Sequence, residues 1–553
     1  MNKLNVAFLW HMHQPYYKDD TGGMYMMPWV RLHGVKDYYP MARLIERFDN
    51  VKATFNFVPV LVEQINDYVE NGARDTLMDL TVKRPSGMDL SEKCEALESF
   101  FRVNYKRFIE PNRRYFDLLV KRGVHPSAAE VKGAARAFSD NDLTDLQVLF
   151  NLSWFHSLSI DEDANLKELK EKGRDFSEAD KAYVLKRQGA ILSEVIPLYK
   201  RLKDLGKIEL SCSPYYHPIL PLLCDTDIAR ASSPGIPLPS RRFSYPDDAR
   251  RQIEYAIRYH GEQFASPPSG MWPSEGSVSD MALDLLADSG IQWIATDEDI
   301  LFNTLAYSGK KRSKKHVPDR RSLYLPYRYK KGSRSVEMIF RDKNLSNLIS
   351  FNYNSWEPRA AAEDLLGHFL KIREDFPSKA GNRLVTIAMD GENAWEYYKD
   401  NGREFFETLY SKLDRHEAVR TSTISGFLER ERPEKVFKRV FPGSWINHNF
   451  EVWIGNRQKN LAWEYLGMAR EELSRSAENK VPASKNAAQA SSGIKNALRE
   501  ILIAEGSDWN WWHSFESDTK GRGSFAYLFR KHLKNVYKEL KIPVPGYLKK
   551  NIA

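Results

Sequence analysis

The sequence has little cysteine and no long apolar run. Its 553 residues include three cysteines, Cys94, Cys212 and Cys224, with no closely spaced pair among them. Neither a disulfide framework nor a cysteine zinc site is expected, and a reducing compartment is favoured. No stretch approaches the roughly 20 apolar residues of a membrane span, and the run Val6 to Trp10 is too short for a signal-peptide core. The sequence therefore predicts a cytoplasmic protein with no membrane partner.

The chain also lacks a strong excess of charge of one sign. Its 82 Lys and Arg residues against 74 Asp and Glu residues give a formal net charge of +8. The basic run "KKRSKKHVPDRR", Lys310 to Arg321, has no RNA-binding aromatic signature beside it, so we interpret it as a surface loop. No nucleic-acid partner is predicted. Hydrophobic and aromatic contents of 42% and 12% indicate a folded globular chain of two or three structural units.

What the sequence does contain is a series of short β-type runs, each followed by polar, aromatic or acidic residues. The runs are "NVAFLW", "ATFNFV", "KIELSC", "GM" at Gly270, "IQWIAT", "VEMIFR" and "RLVTIAM". Helical patterns follow them. This order is typical of a β/α barrel or a doubly wound sheet, in which buried parallel strands carry functional residues at their carboxyl ends. We therefore predict an α/β fold.

Two regions have helical patterns without a convincing strand. The first lies between Leu90 and Gly206 and includes "EALESFFRVNYKRFIEPNRRYFDLLVKRG", which predicts long amphipathic helices. The second begins after about Asn401, and its clearest member is "SFAYLFRKHLKNVYKEL", with apolar residues at i, i+3 and i+4. We predict a β/α unit over residues 1–400 with a helical insertion at about 90–206, followed by a helical domain over 401–553.

Two acidic residues directly follow predicted strands, and each lies near a tryptophan. They are Glu275 in "GMWPSEGSVSD" and Asp390 in "IAMDGENAW". Hydrolysis of a glycosidic bond uses one carboxylate to attack the anomeric carbon and a second, protonated carboxyl to release the leaving oxygen, while aromatic faces stack on sugar rings. A helix N-cap or an ion pair explains either acid alone equally well. The hypothesis therefore depends on the pair.

Two histidines, His11 and His13, follow the first predicted strand in "WHMHQPYY". Paired histidines can bind a metal, as in a zinc-dependent carbohydrate deacetylase or mannosidase. The usual local HxD carboxylate is not present in the sequence, so neutral imidazoles that hydrogen-bond a sugar are favoured, and neither a metal nor another cofactor is predicted. The metal enzyme remains an alternative from a different class, and a glycan-binding protein without catalysis is a third.

Glu209 lies within the predicted strand "KIELSC", and Tyr215, Tyr216 and His217 follow it in a turn. A buried glutamate in a strand is costly unless it has an ionic partner or a hydrogen-bonded ligand. The sequence leaves both explanations open.

The late segment "EGSDWNWWHSF" has three tryptophans within four residues, Trp509, Trp511 and Trp512. This density is unlike a plain amphipathic helix. We expect one or two of these indoles to belong to the core and at least one to line a groove.

Five segments resemble, in order, the five motif regions of glycoside hydrolase family 57. They are "HQP" at His13, "GKIELSCSPYYHPILPLL", "GMWPSEGSVSD", "LVTIAMDGENAWEYY" and "EGSDWNWWHSF". The segments "FRDKNLSNLISF" and "SWINHNFEVWIGNRQKNLAWEYL" also resemble the α-amylase and amylopullulanase group of that family. Each motif alone is weakly specific, but five in the same order over nearly the whole chain are a strong signal.

The resemblance implies an incomplete (β/α)7 barrel followed by an α-helical domain that helps to complete the cleft. It matches Glu275 to the nucleophile and Asp390 to the general acid/base of a retaining enzyme. The substrate-binding residues that it implies are His11, His13, Gln14, Glu209, Tyr216, His217, Trp272, Arg341, Asp342, Trp395, Trp445, Asp508, Trp512 and His513. Repulsion between the two acids, together with partial burial, is expected to raise the pKa of Asp390.

Together, the residues and the resemblance predict an α-amylase-type retaining hydrolase of α-1,4-glucans, with an α-glucan or maltooligosaccharide as its substrate. A 4-α-glucanotransferase and an amylopullulanase are the alternatives within this class. The third region reads "WPSEGS", unlike the Ala-Glu form of branching enzymes, and this difference argues against branching activity.

Overall fold

The structure is a computed structural model that describes residues 3–308, 319–376, 380–479, 487–512 and 525–549. The strands of these residues are β1 Leu4–Met12, β2 Lys18–Asp19, β3 Met24–Tyr25, β4 Ala53–Phe57, β5 Ile208–Cys212, β6 Gly270–Met271, β7 Trp293–Asp297, β8 Tyr327–Lys331, β9 Arg334–Arg341, β10 Leu384–Asp390, β11 Val419–Thr421 and β12 Lys435–Phe437.

The α-helices of the same residues are α1 Trp29–His33, α2 Tyr39–Glu46, α3 Pro59–Glu70, α4 Thr76–Val82, α5 Leu90–Ser99, α6 Arg113–Arg122, α7 Ala128–Ala137, α8 Asp140–Leu152, α9 Ser157–Asp161, α10 Ala164–Lys172, α11 Glu178–Asp204, α12 Leu220–Cys224, α13 Ala229–Ser232, α14 Pro246–Phe264, α15 Asp280–Asp288, α16 Glu298–Ser308, α17 Lys343–Asn347, α18 Pro358–Glu374, α19 Arg403–Asp414, α20 Ile424–Leu428, α21 Arg457–Asn479, α22 Ala487–Ala504, α23 Ser507–Trp512 and α24 Phe525–Glu539.

A series of parallel strands forms the centre of the molecule. Strands β10, β1, β4, β5, β6, β7 and β9 lie side by side in that order, and each neighbouring pair is parallel. These are the strands predicted from the sequence, so the mixed α/β class is confirmed. The backbone N–H of Asp342, directly after β9, donates to the carbonyl of Thr386 in β10 over 2.8 Å. The two ends of the series therefore approach each other.

The strands of this series are apolar because they are covered on both faces. All nine residues of β1 are buried, and its Trp10 packs edge-on against Trp395 and Phe406, at ring distances of 5.9 and 5.7 Å. Such continuous apolar runs are typical of parallel strands enclosed by helices. Functional side chains can therefore lie only where the strands end.

The chain between β4 and β5 is helical and has a hydrophobic core of its own, which includes Leu97, Phe100, Leu118 and Phe150. The helices of the segment "EALESFFRVNYKRFIEPNRRYFDLLVKRG" are shorter than predicted: α5 ends at Ser99 and α6 begins at Arg113, with a π-helical turn at Tyr105–Ile109 between them.

Two asparagines explain why this segment is divided. The side chain of Asn104 accepts a hydrogen bond from the backbone N–H of Arg107, and that of Asn112 accepts one from Tyr115. Asparagine at such an N-cap position satisfies free backbone donors and therefore begins a new helical turn.

The last part of the chain is mainly helical but also joins the central sheet. The predicted apolar stripe on α24 is confirmed, since Leu528, Phe529, Leu533 and Val536 are buried. Beyond residue 400, β11 pairs with β1 and β12 pairs with β8. Both strands have only three residues, too few for a periodic pattern to predict them.

Two observations concern the features that the sequence has little of. All three cysteines are free. Among the helices of the described residues, none combines the length and the apolar character needed to cross a bilayer. The basic run at Lys310 to Arg321 lies mostly outside the described residues, although Arg320 pairs with Glu298 and Asp342.

Candidate active site

Glu275 lies in the short turn that follows β6, and its backbone is in the left-handed region, with φ 58° and ψ 24°. Residues other than glycine rarely adopt this conformation, and it persists only where surrounding contacts hold it. Trp445 provides two such contacts. Its backbone N–H donates to the carbonyl of Glu275 over 2.9 Å, and its indole Nε1 donates to the carboxylate Oε2 over 2.8 Å. The position of the carboxylate is therefore fixed from both main chain and side chain.

Asp390 is the last residue of β10 and lies in register with His11 of β1. Its carboxylate accepts a hydrogen bond from Nδ2 of Asn393 over 2.8 Å. The next residue, Gly391, donates its backbone N–H to the carbonyl of His11 over 2.8 Å. A Cβ atom at this glycine would lie 2.1 Å from Sδ of Met12, so the close approach of the two strand ends requires glycine there.

Both acids face one cleft, which has a volume of about 1290 Å³. This volume exceeds the roughly 300–1,000 Å³ of pockets that enclose a single small ligand. The helical insertion forms part of its wall. Eight of the predicted site residues line it: His11, His13, Gln14, His217, Glu275, Asp390, Trp445 and Asp508.

Three histidines stack against one another at this cleft. The ring centroids of His13 and His217 are 4.0 Å apart, and those of His11 and His217 are 5.0 Å apart. Nδ1 of His11 lies 2.8 Å from Oδ1 of Asn56, and Nε2 of His13 lies 3.0 Å from both carboxylate oxygens of Asp508. The cluster thus connects β1 to the first turn of α23.

Burial determines the charge of two of these histidines. It lowers the pKa of His11 to about 3 and lowers the pKa of His217 well below the ordinary value, and the neighbouring His13 adds to both effects. Both imidazoles are therefore neutral near pH 7. Neutral rings suit hydrogen bonds with an uncharged hydroxyl-rich ligand.

The two candidate catalytic acids both have raised pKa values. Burial raises the pKa of Glu275 to about 8, the charges of Asp390 and Asp508 add to the rise, and the hydrogen bonds from Trp445 and Ser507 oppose it. Burial also raises the pKa of Asp390, against the hydrogen bond from Asn393. The expected rise at Asp390 is therefore present, but its first cause is burial rather than repulsion by Glu275, and the charge of Asp390 instead raises the pKa of Glu275. Neighbouring carboxyls of this kind titrate as a pair.

Glu209 does not line the cleft. It is half-buried in β5, where it accepts hydrogen bonds from the backbone N–H and the hydroxyl of Ser425, over 2.9 and 2.5 Å, and from Nε1 of Trp293 over 3.0 Å. Burial raises the pKa of Glu209, and these hydrogen bonds oppose the rise. The structure therefore gives this glutamate protein partners rather than a place beside the other site residues.

Three further predicted site residues are also packed away from the cleft. Tyr216 packs edge-on against Tyr16, with ring centroids 6.0 Å apart. Asp342 caps α17 and accepts a hydrogen bond from the hydroxyl of Tyr324 over 3.1 Å. Trp395 is buried and donates its Nε1–H to the carbonyl of Gly391 over 2.7 Å.

Two predicted residues lie directly behind the cleft wall and contact Trp445. The ring of Trp272 packs edge-on against it with centroids 5.4 Å apart, and the guanidinium of Arg341 lies 4.9 Å from the centre of its ring. Arg341 also pairs with Asp297 over 3.0 Å. Both residues can therefore act on the site through Trp445.

The expectation for the tryptophan-rich segment is confirmed for two of its indoles. Trp509 is buried and donates to the carbonyl of Ile503 over 2.8 Å, while Trp511 lines the cleft. Trp512 is the last residue of α23, and His513 lies outside the described residues.

Two polar residues of the site, Glu392 and Ser507, were not predicted from the sequence. Glu392 lines the cleft, and Gln14 donates its amide to Oε1 of this glutamate over 3.2 Å. Burial, followed by the charge of Asp390, raises the pKa of Glu392 well above the ordinary value. The signal in the sequence that could have identified this residue is an acidic side chain two positions after Asp390.

Ser507 is the second residue that was missed. Its hydroxyl lies 2.9 Å from Nδ1 of His217 and 3.4 Å from Oε1 of Glu275. Its position inside the motif "EGSDWNWWHSF" was the only indication in the sequence.

A cation could also be held at this site. One ligand atom each from His13, His217 and Asp508 lie within 4.8 Å of one another. His11 instead contacts Asn56, so this set differs from the His11 and His13 pair that the sequence suggested.

Comparisons with known proteins give one family. The sequence profile described as "Glycosyl hydrolase family 57" matches residues 7–441. No curated protein sequence matches the chain.

Several solved structures share the fold. A branching enzyme from Pyrococcus horikoshii has 16% sequence identity and a TM-score of 0.60, covering 99% of this chain and 96% of its own. A branching enzyme from Thermococcus kodakaraensis has 16% identity and a TM-score of 0.59, covering 98% and 90%. The α-amylase AmyC from Thermotoga maritima has 13% identity and a TM-score of 0.57, covering 98% and 94%.

Proposed function

Because the chain belongs to glycosyl hydrolase family 57, we propose that it is a retaining hydrolase of α-1,4-glucans of the α-amylase type. The observation that carries the proposal is the placement of two carboxyls. Glu275 and Asp390 follow different parallel strands, line the same cleft, and lie close enough for the charge of Asp390 to raise the pKa of Glu275.

The proposed reaction is a double displacement. Asp390 donates its proton to the glycosidic oxygen while a carboxylate oxygen of Glu275 attacks the anomeric carbon, which forms a β-glycosyl ester and releases the leaving chain. Asp390 then takes a proton from water, and the water oxygen displaces the carboxylate of Glu275. Retention by this route needs carboxyls roughly 5 to 5.5 Å apart.

The division of labour between the acids follows from their hydrogen bonds. Trp445 and Ser507 both donate to Glu275, and donors of this kind stabilise the ionised form that a nucleophile requires. The productive form of the pair is therefore the one with the proton on Asp390 and Glu275 ionised. Because burial raises the pKa of both carboxyls, the fully protonated pair competes with this form as the pH falls, and activity should rise with pH as Glu275 ionises.

The remaining cleft residues are proposed to bind and orient the sugar. His11 and His217 are neutral and can hydrogen-bond hydroxyl groups, and the pair of His13 and Asp508 closes the same side of the cleft. The surrounding architecture is proposed to be an incomplete (β/α)7 barrel over residues 1–400, with its helical insertion at about 90–206. Residues 401–553 are proposed to form a mainly helical region that adds β11 and β12 to the central sheet and supplies Ser507 and Asp508.

The same two carboxyls would also serve a 4-α-glucanotransferase, an amylopullulanase or a branching enzyme, the last being the activity named for two of the structures above. The test is product analysis with maltoheptaose. Hydrolysis gives only shorter sugars, transfer also gives longer ones, and branching gives new α-1,6 links, which proton NMR detects. Glu275→Gln is the matched control and should lower turnover by several orders of magnitude; near-normal turnover would remove this glutamate from the mechanism.

The triad of His13, His217 and Asp508 favours one candidate of a different class, a zinc-dependent carbohydrate deacetylase or mannosidase. Dialysis against EDTA distinguishes the carboxylate mechanism from this metal-dependent alternative. The carboxylate mechanism predicts full activity after metal removal, whereas a metal enzyme loses activity and regains it with zinc.

The scarcity of cysteine, with all three thiols free, supports a cytoplasmic location.

A further inference from the structure

We propose that an exposed aromatic surface at the mouth of the cleft binds polymeric α-glucan outside the catalytic site. This surface, here called the aromatic rim, consists of Tyr105, Phe351, Trp356 and Tyr397. The inference rests on the proposed function and deepens it, because it concerns how a long substrate is held by the same enzyme.

All four residues of the aromatic rim are exposed. The four residues of the aromatic rim are 40%, 72%, 46% and 50% exposed, in chain order. Single exposed apolar residues are normal on protein surfaces and need no explanation. A group of exposed aromatic side chains does need an explanation, because contiguous apolar patches mark binding sites.

The rim residues come from three separate segments that contact one another. Arg107, in the same turn as Tyr105, donates its Nε–H to the backbone carbonyl of Tyr397 over 2.9 Å. Its Nη2 donates to the carbonyl of Asn354 over 3.2 Å. Asn354 lies in the short segment that carries the other two rim residues, so one guanidinium connects all three segments.

The segments that carry the rim adjoin the cleft. Glu396, the residue before Tyr397, lines the cleft, and so does Arg102, three residues before Tyr105. A glucan chain that leaves the cleft between the helical insertion and the segment after β10 would therefore reach the rim.

The chemistry of the rim indicates the ligand. The faces of glucose rings carry C–H groups that pack against flat aromatic rings, while their edges carry hydroxyls. Three of the four rim residues are tyrosine or tryptophan, which combine an apolar ring with a hydrogen-bonding group.

Binding at two places on one chain changes affinity in a way that depends on chain length. A glucan long enough to occupy both the cleft and the rim gains from the high effective concentration of the second site, whereas a short oligosaccharide fills only the cleft. The rim should therefore act on polymers and leave short substrates unaffected.

The experiment uses the full chain with the triple substitution Phe351→Ser, Trp356→Ala and Tyr397→Ala. Tyr307→Ala is the matched control, because Tyr307 lies at the end of α16 and is 57% exposed. Binding to glycogen by affinity electrophoresis and KM for soluble amylopectin are measured, together with kcat/KM for maltotetraose. We expect the triple variant to bind glycogen about tenfold more weakly, with unchanged activity on maltotetraose, and the control to behave as wild type.

Two results would overturn the inference. One is equal binding of glycogen by the triple variant and the wild type. The other is a wild-type dimer in solution that the triple variant cannot form, which would assign the rim to a second copy of the chain. Failure of the proposed function is distinguishable, since the wild type would then cleave neither maltotetraose nor amylopectin.

Discussion

The raised pKa of Glu275 affects the stability of the folded protein as well as the chemistry of the site. The pKa of its carboxyl is about 8 in the folded protein and about 4.5 in an exposed reference state. Between these pH values the folded protein keeps a proton that the unfolded chain has released. Stability therefore falls as pH rises through this window, because the charged form is disfavoured only in the folded state.

Glu275→Gln should consequently stabilise the protein, and more so at higher pH. We expect little difference in melting temperature from the wild type near pH 4.5 and an increasing gain up to pH 8, worth at most a few kcal/mol, since one pKa unit corresponds to about 1.4 kcal/mol. Thermal unfolding at pH 5, 6.5 and 8 measures this gain. The control is Glu429→Gln on the surface. A gain that does not vary with pH would contradict the raised pKa.

If Asp390 is the general acid, the effect of substituting it should depend on the leaving group of the substrate. Asp390→Asn cannot donate a proton, so hydrolysis of maltooligosaccharides should fall by about 10²- to 10⁴-fold. Aryl glycosides with good leaving groups need little protonation and should lose far less in the glycosylation step. Pre-steady-state release of the aryl group measures that step. Equal losses on both substrates would argue against an acid role.

Glu209 should matter for stability rather than for substrate affinity. Glu209→Ala leaves buried donors of Ser425 and Trp293 without their acceptor, which should cost about 2–4 kcal/mol in the free energy of unfolding. Urea unfolding gives this value, and KM for maltoheptaose is expected to be unchanged. Thr54→Val removes the longest of the hydrogen bonds to Glu209, at 3.3 Å, together with the acceptor for the backbone N–H of Ile424, and serves as a milder control. A raised KM at full stability would restore a substrate role.

At the scale of elements, the site depends on how closely β1 and β10 approach at their carboxyl ends. Gly391→Ala would place a methyl group 2.1 Å from Sδ of Met12 and should push the end of β10 away from β1. Because Asp390 directly precedes this glycine, we expect kcat to fall at least tenfold, since small displacements of reacting groups are costly.

The measurement for Gly391→Ala is kcat on maltoheptaose, together with a urea unfolding curve. Gly87→Ala is the control, because open space surrounds that position and activity should be retained. Recovery of activity in the double variant Gly391→Ala, Met12→Ala would support the steric explanation, and full activity of Gly391→Ala alone would contradict it.

The comparison of sequence and structure is clearest at this scale. The seven strands of the parallel series were predictable because they are buried on both faces and are followed at once by polar or acidic residues. The division of the helical insertion into shorter helices was harder to predict, because it depends on local capping by Asn104 and Asn112. Long apolar periodicity does not reveal such interruptions.

A position at a strand end does not by itself place a predicted residue in the cleft. Glu275 follows β6, Asp390 ends β10, and both line the cleft, whereas Asp342 directly follows β9 and caps α17 instead. Glu209 lies inside β5, and successive side chains of a strand point to opposite faces. Membership in a motif therefore does not decide between the cleft and the core, as Glu209 and Trp395 both illustrate.

At the scale of the whole molecule, the cleft is assembled from distant parts of the chain. The strand ends contribute the two acids, the helical insertion forms one wall, and α23 contributes Ser507 and Asp508. The backbone N–H of Ser507 donates to the carbonyl of His217 over 3.0 Å, which fixes α23 against the loop after β5. The periodicity of apolar residues cannot predict such contacts between distant parts of the chain. Only the order of the motifs suggested them.

The hydrogen bond between His13 and Asp508 joins residues 495 positions apart. On the ribosome, at roughly 5–20 residues per second, synthesis of the second partner follows that of the first by about 25 to 100 s. A chain synthesised past Asp390 but not yet as far as Ser507 therefore has both acids but not the serine and aspartate that complete their surroundings. Nascent or prematurely terminated copies should be catalytically silent, so the cell's glucan meets a competent enzyme only after translation is nearly finished.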